Sequence, residues 1–238
     1  RSVDVHPSGK QLATGGSDRK LRVWDWKDGR AAEKPAAQVK AHDGWVEAVC
    51  YSPDGGQIAT AGFDGLVKVW DAATLKPAQT LTGQERYVDD VCFTSDGEQL
   101  ITGGEDGRVI VWDTKSWQPL RTIEFGGANK ESGQTTKHSG GQRLAISRDD
   151  RWLGVAGGTW ISVFDLQTGE IVAREERISM QIAFHPEANV LAAGESEAKF
   201  WSFEPDKLAP PKKDKNGKPK NPSGIPGKSF ASIKRGEW

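Results

Sequence analysis

The sequence predicts an all-β fold built from repeated four-stranded units, and three features carry this prediction. Closely similar segments recur along the chain, apolar residues alternate with polar or small ones, and Asp-Gly turn signals separate these stretches. The recurring segments are LATGGSDRKLRVWD at 12–25, IATAGFDGLVKVWD at 58–71 and LITGGEDGRVIVWD at 100–113. Repetition at a near-constant period indicates one supersecondary unit copied along the chain.

Each unit is predicted to contain four short antiparallel strands. A shared phrase precedes each segment and supplies the first strand and its turn: VDVHPSG at 3–9, VCYSPDG at 49–55 and VCFTSDG at 91–97. A further strand follows each Trp-Asp pair, in AAQVKAH at 36–42, AQTLTGQ at 78–84 and PLRTIEF at 119–125. A single four-stranded meander cannot bury both of its faces, so the units are expected to stack radially as the blades of a propeller.

Two weaker copies extend the pattern, LAISRDD with LGVAGGTWISVFD and IAFHPEA with LAAGESEAKFWS. The five predicted units are 1–43, 44–84, 85–125, 143–177 and 178–204. An inserted loop at 126–142 and a linker or loop rich in proline and lysine at 205–228 interrupt them. A strand at 229–238 is expected to lead into a further, truncated repeat, and Arg1 falls inside a first strand. The chain is therefore expected to be a segment of a longer polypeptide.

The Trp-Asp pairs at residues 24–25, 70–71 and 112–113 and the SPDG-type turns resemble WD40 repeats, over essentially the whole chain. This resemblance implies a WD40-type β-propeller in which the five units form part of a larger ring of about seven blades.

The resemblance also implies a structural tetrad in each well-formed blade, joining a His, a Ser or Thr, an Asp and a Trp by hydrogen bonds. A buried Asp needs donors, which imidazole, hydroxyl and indole N–H groups supply. The second unit carries His42, Thr60, Asp64 and Trp70. The third carries Thr102, Asp106 and Trp112 with Gln84 in place of the His, and the first carries Thr14, Asp18 and Trp24. Because a glutamine can still donate, a weaker tetrad is expected in the third unit.

Composition and motifs indicate no catalytic, metal or cofactor site. The net charge of −1 gives no reason to expect a nucleic-acid partner, and no apolar stretch approaches the roughly 20 residues of a membrane span. The acidic turn after Gly104 lacks the ligand pattern of a calcium-binding EF-hand loop. Cys50 and Cys92 occupy the same position in successive units, so they are expected to pack in the core without forming a disulfide.

The resemblance places exposed side chains next to the tetrads, on the face where the loop before the first strand and the turn after the second emerge. These candidate partner-binding residues are Arg1 and Ser17 in the first unit, Trp45, Glu47 and Phe63 in the second, and Tyr87, Asp89 and Glu105 in the third. Three aromatic residues beside three acids favour a peptide-binding site, because aromatic residues dominate interface hot spots.

The sequence therefore predicts a non-catalytic scaffold that binds protein or peptide ligands on the propeller face and meets further blades of its parent chain. The alternative is an accessory propeller domain of a multidomain enzyme or electron-transfer protein whose catalytic part lies outside this chain. A third reading, in which the propeller is itself an enzyme, needs polar groups that converge at its central channel. The identity of the partner and the compartment stay open.

Overall fold

Short strands that alternate inward and outward side chains form the whole of the secondary structure described by the computed structural model. It describes residues 1–124, 142–157, 160–176, 181–185, 190–194, 197–202 and 229–234. Within these ranges there are five antiparallel sheets and no helix. The predicted fold class is confirmed: the described part of the chain is all-β, with sheets that have the form of propeller blades.

The N-terminal unit, residues 1–127, contains three of these sheets. The first contains β1 (Ser2–Val5), β2 (Gln11–Gly15), β3 (Lys20–Lys27), a short β4 (Arg30–Ala31) and β5 (Ala37–Lys40). The second contains β6 (Val46–Tyr51), β7 (Gln57–Gly62), β8 (Val67–Asp71) and β9 (Pro77–Leu81). The third contains β10 (Val88–Phe93), β11 (Gln99–Gly104), β12 (Arg108–Asp113) and β13 (Pro119–Glu124). Each sheet is a meander in chain order, except that β5 pairs with β3 and β4 only extends the end of β3.

The C-terminal unit, residues 128–238, contains two sheets of the same topology. One contains β14 (Arg143–Ile146), β15 (Trp152–Gly157), β16 (Trp160–Asp165) and β17 (Ile171–Glu176). The other contains β18 (Gln181–Phe184), β19 (Val190–Gly194), β20 (Glu197–Ser202) and β21 (Ser229–Lys234). The fifth sheet thus takes its fourth strand from beyond residue 204, where the sequence placed the end of that unit. The inserted loop, apart from Gln142, and the segment 205–228 lie outside the described residues.

Successive side chains of a strand point to opposite faces of its sheet. In the N-terminal unit they therefore divide between two apolar cores. In β7, Ile58 belongs to the cluster that contains Leu21 of the first sheet. Its neighbour Ala59 belongs to the cluster that contains Leu100 of the third sheet. The second sheet is therefore buried on both faces, and apolar packing between sheets supplies the main stabilisation of this unit.

The SPDG-type turns are closed by side-chain hydrogen bonds. The Ser52 hydroxyl donates to Asp54 Oδ1 (2.5 Å), which also accepts the Gly56 N–H (2.9 Å). These donors hold the pKa of the Asp54 carboxyl below its ordinary value. Gly55 adopts φ 75°, a left-handed conformation that favours glycine.

Candidate interaction surface of the N-terminal unit

The second sheet contains a hydrogen-bonded chain of four side chains. The Trp70 indole N–H donates to Thr60 Oγ1 (2.9 Å). His42 Nε2 lies 2.8 Å from the same hydroxyl oxygen, and His42 Nδ1 lies 2.9 Å from Asp64 Oδ1. Asp64 Oδ2 accepts the N–H of Asp43 (2.9 Å). These hydrogen-bonded side chains connect the loop before β6 to the turn after β7, and so hold this end of the blade together.

Burial of the ring lowers the pKa of His42, although the neighbouring Asp64 carboxylate acts in the opposite direction. Burial of Asp64 by itself raises the pKa of its carboxyl, but the Asp43 N–H and His42 outweigh that effect and the pKa is lowered. Near neutral pH a neutral imidazole thus faces an ionised carboxylate. In this state Nδ1–H donates to Asp64 and Nε2 accepts from Thr60.

The lowered pKa of His42 predicts that the protein begins to lose stability on acidification at pH values above those at which carboxylates titrate. Protonation favours the unfolded state, so this contribution to stability is complete above about pH 6.5 and is lost as the pH falls towards the lowered folded pKa. The contribution of Asp64 is lost only below about pH 3.8, as the pH falls through its own folded pKa. We expect the melting temperature to fall between about pH 7 and 5, with a shallower slope for His42→Gln. Thermal denaturation followed by circular dichroism measures both slopes, and equal slopes would contradict this assignment.

The third sheet keeps only part of this arrangement, and the expectation of a weaker tetrad through Gln84 was wrong. The Trp112 indole N–H donates to Thr102 Oγ1 (3.0 Å), as in the second sheet. Gln84 instead donates to the Arg108 carbonyl oxygen (3.1 Å), and its Oε1 is buried without a hydrogen-bond partner. Asp106 accepts the N–H groups of Glu85 (2.8 Å) and Arg108 (3.0 Å). Gln84 therefore does not link Thr102 to Asp106.

Replacing Gln84 by histidine is expected to stabilise the third blade by about 1 kcal/mol. An imidazole would place one nitrogen towards Thr102 and the other towards Asp106, and it would remove the buried amide oxygen that has no partner. Urea denaturation measures the change in the free energy of unfolding. His42→Gln in the second blade is the reciprocal control and is expected to destabilise. A loss of stability in Gln84→His would refute the tetrad account of this blade.

The first sheet keeps only the tetrad hydrogen bond between the tryptophan and the threonine. The Trp24 indole N–H donates to Thr14 Oγ1 (2.9 Å). Asp18, expected in the tetrad, forms an ion pair with Arg22 and lies on the surface. The hydrogen bond from Arg22 holds the pKa of the Asp18 carboxyl below its ordinary value.

The loop before the first strand and the turn after the second strand are joined by main-chain hydrogen bonds in two blades. The Phe63 N–H donates to the Trp45 carbonyl oxygen (2.9 Å). In the third blade the Glu105 N–H donates to the Tyr87 carbonyl oxygen (2.9 Å). We call the edge of the N-terminal unit that carries these loops and turns the rim.

Three aromatic side chains of the rim form a continuous row, which we call the aromatic strip: Trp45, Phe63 and Tyr87. The ring centroids of Trp45 and Phe63 lie 5.1 Å apart at an interplanar angle of 36°. Those of Phe63 and Tyr87 lie 3.5 Å apart at 14°, so these two rings stack across neighbouring blades. Trp45 is 41% exposed and Tyr87 37% exposed, whereas Phe63 between them is partly covered.

A cation covers one end of the aromatic strip. The Arg1 guanidinium lies 4.1 Å from the centroid of the Trp45 ring, and its Nη1 lies 2.9 Å from Glu47 Oε2. Glu47 was expected to be exposed, and this expectation was wrong, because the residue is only 8% exposed. A β-bulge explains the difference. Val46 pairs with Gly62 and Ala48 with Ala61, so Glu47 is the extra residue of the strand, a position in which a side chain can be redirected.

The third blade repeats the bulge, with Asp89 as the extra residue between Val88 and Asp90. Asp89 is partly exposed, and Glu105 forms a 3.4 Å ion pair with Arg86 beside Tyr87. Ser17 in the first blade is exposed, as is Arg1. The structure thus brings Arg1, Trp45, Glu47, Phe63 and Tyr87 into one chain of contacts, with Glu105 joined to Tyr87 through the main chain. No contact of Ser17 connects it with this row.

The described residues offer little chemistry away from this surface. Among them, no group of three or more His, Cys, Asp or Glu side chains could hold a metal ion. Cys50 and Cys92 are not joined in a disulfide, and burial raises the pKa of Cys50 to about 12, which makes its thiol a poor nucleophile. His138, which the sequence places near a fourth-blade tetrad position, lies outside the described residues. In the part of the chain that is described, no helix has the length and apolar character needed to cross a membrane.

Comparison with known proteins identifies the repeats. The family model described as "WD domain, G-beta repeat" matches residues 1–25, 33–71 and 75–113. These three stretches cover most of the strands of the three N-terminal sheets. No curated protein matched the chain significantly. The three N-terminal blades are therefore repeats of the WD40 family.

Proposed function

We propose that this chain is a non-catalytic interaction platform that binds a protein or peptide ligand through the rim of its N-terminal unit. WD40 repeats generally mediate protein interactions. The finer proposal assigns the contact to the aromatic strip and its polar neighbours. The proposed contact residues are Arg1, Ser17, Trp45, Phe63, Tyr87, Asp89 and Glu105, while Glu47 holds Arg1 in place from below the surface.

The continuous aromatic strip is the observation that carries this proposal. Exposed aromatic residues occur singly on many proteins, but here three rings touch one another across two blades. Trp and Tyr are enriched in interface hot spots, because they bury a large area with few rotatable bonds. Their contacts with one another restrict the rings before any ligand binds, so a partner loses less conformational freedom on binding.

Charged pairs of both signs surround the strip. Arg1 pairs with Glu47, Arg86 with Glu105, and Arg108 pairs with Glu85 at 2.7 Å. An apolar centre with a polar, hydrated border is the usual anatomy of a protein interface. This arrangement favours a ligand that places an apolar side chain on the rings and polar groups at the edge.

Peptide selection followed by hydrogen–deuterium exchange tests the proposal. Peptides of twelve random residues displayed on phage are selected on the 238-residue chain, and the enriched sequences are synthesised. Binding is expected to slow exchange in the loops before β6 and β10 and in the turn after β7. Protection confined to other parts of the chain, or no enrichment at all, would refute the proposal.

A further inference from the structure

The Arg1 side chain is held over an exposed tryptophan ring by a single ion pair. Its guanidinium lies 4.1 Å from the centroid of the Trp45 ring, and its Nη1 lies 2.9 Å from Glu47 Oε2. The Arg1 side chain is 38% exposed, whereas Glu47 is buried. The cation of this pair therefore faces solvent at one end of the aromatic strip, and the anion does not.

The ion pair uses only part of the Arg1 guanidinium. A guanidinium carries its N–H donors in a planar fork, and within the described residues the one side-chain hydrogen bond of Arg1 runs from Nη1 to Glu47. The edge formed by Nε and Nη2 thus has no partner in this part of the chain. Such an edge can bind both oxygens of a carboxylate through parallel hydrogen bonds. Contact with Trp45 restricts the guanidinium beforehand, so less conformational freedom is lost when a ligand binds.

A guanidinium over an indole does not make such a site by itself. Arg151 lies 4.5 Å from the centroid of the Trp152 ring, and its Nε lies 3.8 Å from Asp165 Oδ2. Trp152 is buried, so its ring offers no surface to a ligand. At Arg1 the tryptophan is exposed and belongs to the aromatic strip. A carboxylate and an apolar group of one ligand can therefore be held side by side there.

We propose that Arg1 binds a side-chain carboxylate of the partner at the Trp45 end of the aromatic strip, an inference that rests on the proposed function. An aromatic or aliphatic side chain next to that carboxylate lies on Trp45 and Phe63. The partner is therefore a peptide segment with an aspartate or glutamate beside an apolar residue. Glutamine in place of the acid binds less well, because one of its two polar atoms is a donor and cannot accept a guanidinium N–H.

Two matched peptides test the inference: acetyl-Gly-Glu-Phe-Gly amide and its analogue with glutamine in place of glutamate. Both are amidated, so the glutamate side chain carries the only carboxylate. NMR titration of the isotope-labelled 238-residue chain, followed at the indole N–H signal of Trp45, measures both dissociation constants. The glutamate peptide is expected to bind about fivefold more tightly, a modest factor because Arg1 is partly exposed and already paired with Glu47.

Arg1→Gln separates this role from a structural one. It keeps the main-chain nitrogen of the residue, which donates to the Gly15 carbonyl oxygen (3.1 Å), and removes the guanidinium. The two peptides are expected to bind this variant equally. Arg1→Lys is expected to keep part of the preference for glutamate, because it keeps the charge without the planar fork. Arg151→Gln is the matched control, since it removes a guanidinium that lies over another tryptophan, and it is expected to leave both affinities unchanged.

Equal affinities of the two peptides for the wild-type chain, or no shift of the Trp45 signal with the glutamate peptide, would overturn the inference. So would a preference for glutamate that persists in Arg1→Gln or disappears in Arg151→Gln. Loss of both peptides in Arg1→Gln would show that Arg1 only supports the strip, and would overturn it too. If the library-selected peptides still protect the loops before β6 and β10 in that event, the proposed function stands without the carboxylate contact. If they do not, both fail.

Discussion

Gly62→Ala is expected to lower the free energy of unfolding of the N-terminal unit by about 3 kcal/mol. A methyl group on Gly62 would overlap His42 Nδ1 and Asp64 Oδ1, the two atoms that hydrogen-bond to each other in the second blade. Both residues belong to the loop and turn that shape the rim, so neither can withdraw without breaking the tetrad. Urea denaturation monitored by circular dichroism measures the loss.

Gly16→Ala is the matched control, because Gly16 occupies the same repeat position in the first blade. A methyl group there would come too close only to Asp18 Oδ1, at 2.9 Å, and that side chain is exposed and can move. We expect a loss below about 1 kcal/mol. Equal losses in the two variants would show that the alanine acts through the backbone and not through the tetrad.

The strands and turns could be predicted from the sequence, because local chemistry determines them. Gly55 and Gly97 both adopt positive φ in the SPDG-type turns, and the alternating apolar residues divide between two cores. The fourth strand of the fifth sheet was harder to assign. Ser229–Lys234 pairs with β20 across an intervening stretch of chain that carries no repeat signal.

Residue types at tetrad positions could be read from the sequence, but their hydrogen-bond partners could not. A histidine ring carries two nitrogens on opposite sides and can connect two groups. A flexible glutamine amide takes the nearest acceptor, and for Gln84 this is the Arg108 carbonyl oxygen. Asp18 instead pairs with Arg22, a cation four residues further along its own hairpin that no tetrad pattern includes.

The exposure of side chains on the rim was the feature that the sequence predicted least well. The repeat pattern does not reveal that a bulge turns Glu47 beneath the surface towards Arg1. The stacking of Phe63 on Tyr87 depends on how closely two blades approach, which a single repeat cannot show. The signal that could have indicated the bulge is the run Val46–Glu47–Ala48–Val49, in which the alternation of apolar and polar residues is interrupted.

Trp45→Ala combined with Phe63→Ala is expected to weaken binding of a library-selected peptide by about a hundredfold or more. The two substitutions remove the centre of the aromatic strip, and each hot-spot aromatic residue typically contributes a factor of about ten or more. Isothermal titration calorimetry measures both dissociation constants.

The fold should survive the double substitution. Trp45 is exposed, and neither Trp45 nor Phe63 belongs to the buried clusters between the sheets. We expect a shift in melting temperature of only a few degrees, roughly what the loss of surface aromatic contacts produces. A loss of binding that accompanies unfolding would show that the residues are structural.

The central claim is that the aromatic strip, and not exposed aromatic surface in general, binds the partner. The most direct measurement is the dissociation constant of one selected peptide for the Trp45→Ala, Phe63→Ala double variant and for Trp26→Ala. Trp26 is 37% exposed, close to the 41% of Trp45, but lies on β3 away from the strip. The account predicts about a hundredfold loss for the double variant and wild-type affinity for Trp26→Ala. Equal affinities in the double variant and the wild type, or an equal loss in both variants, would contradict it.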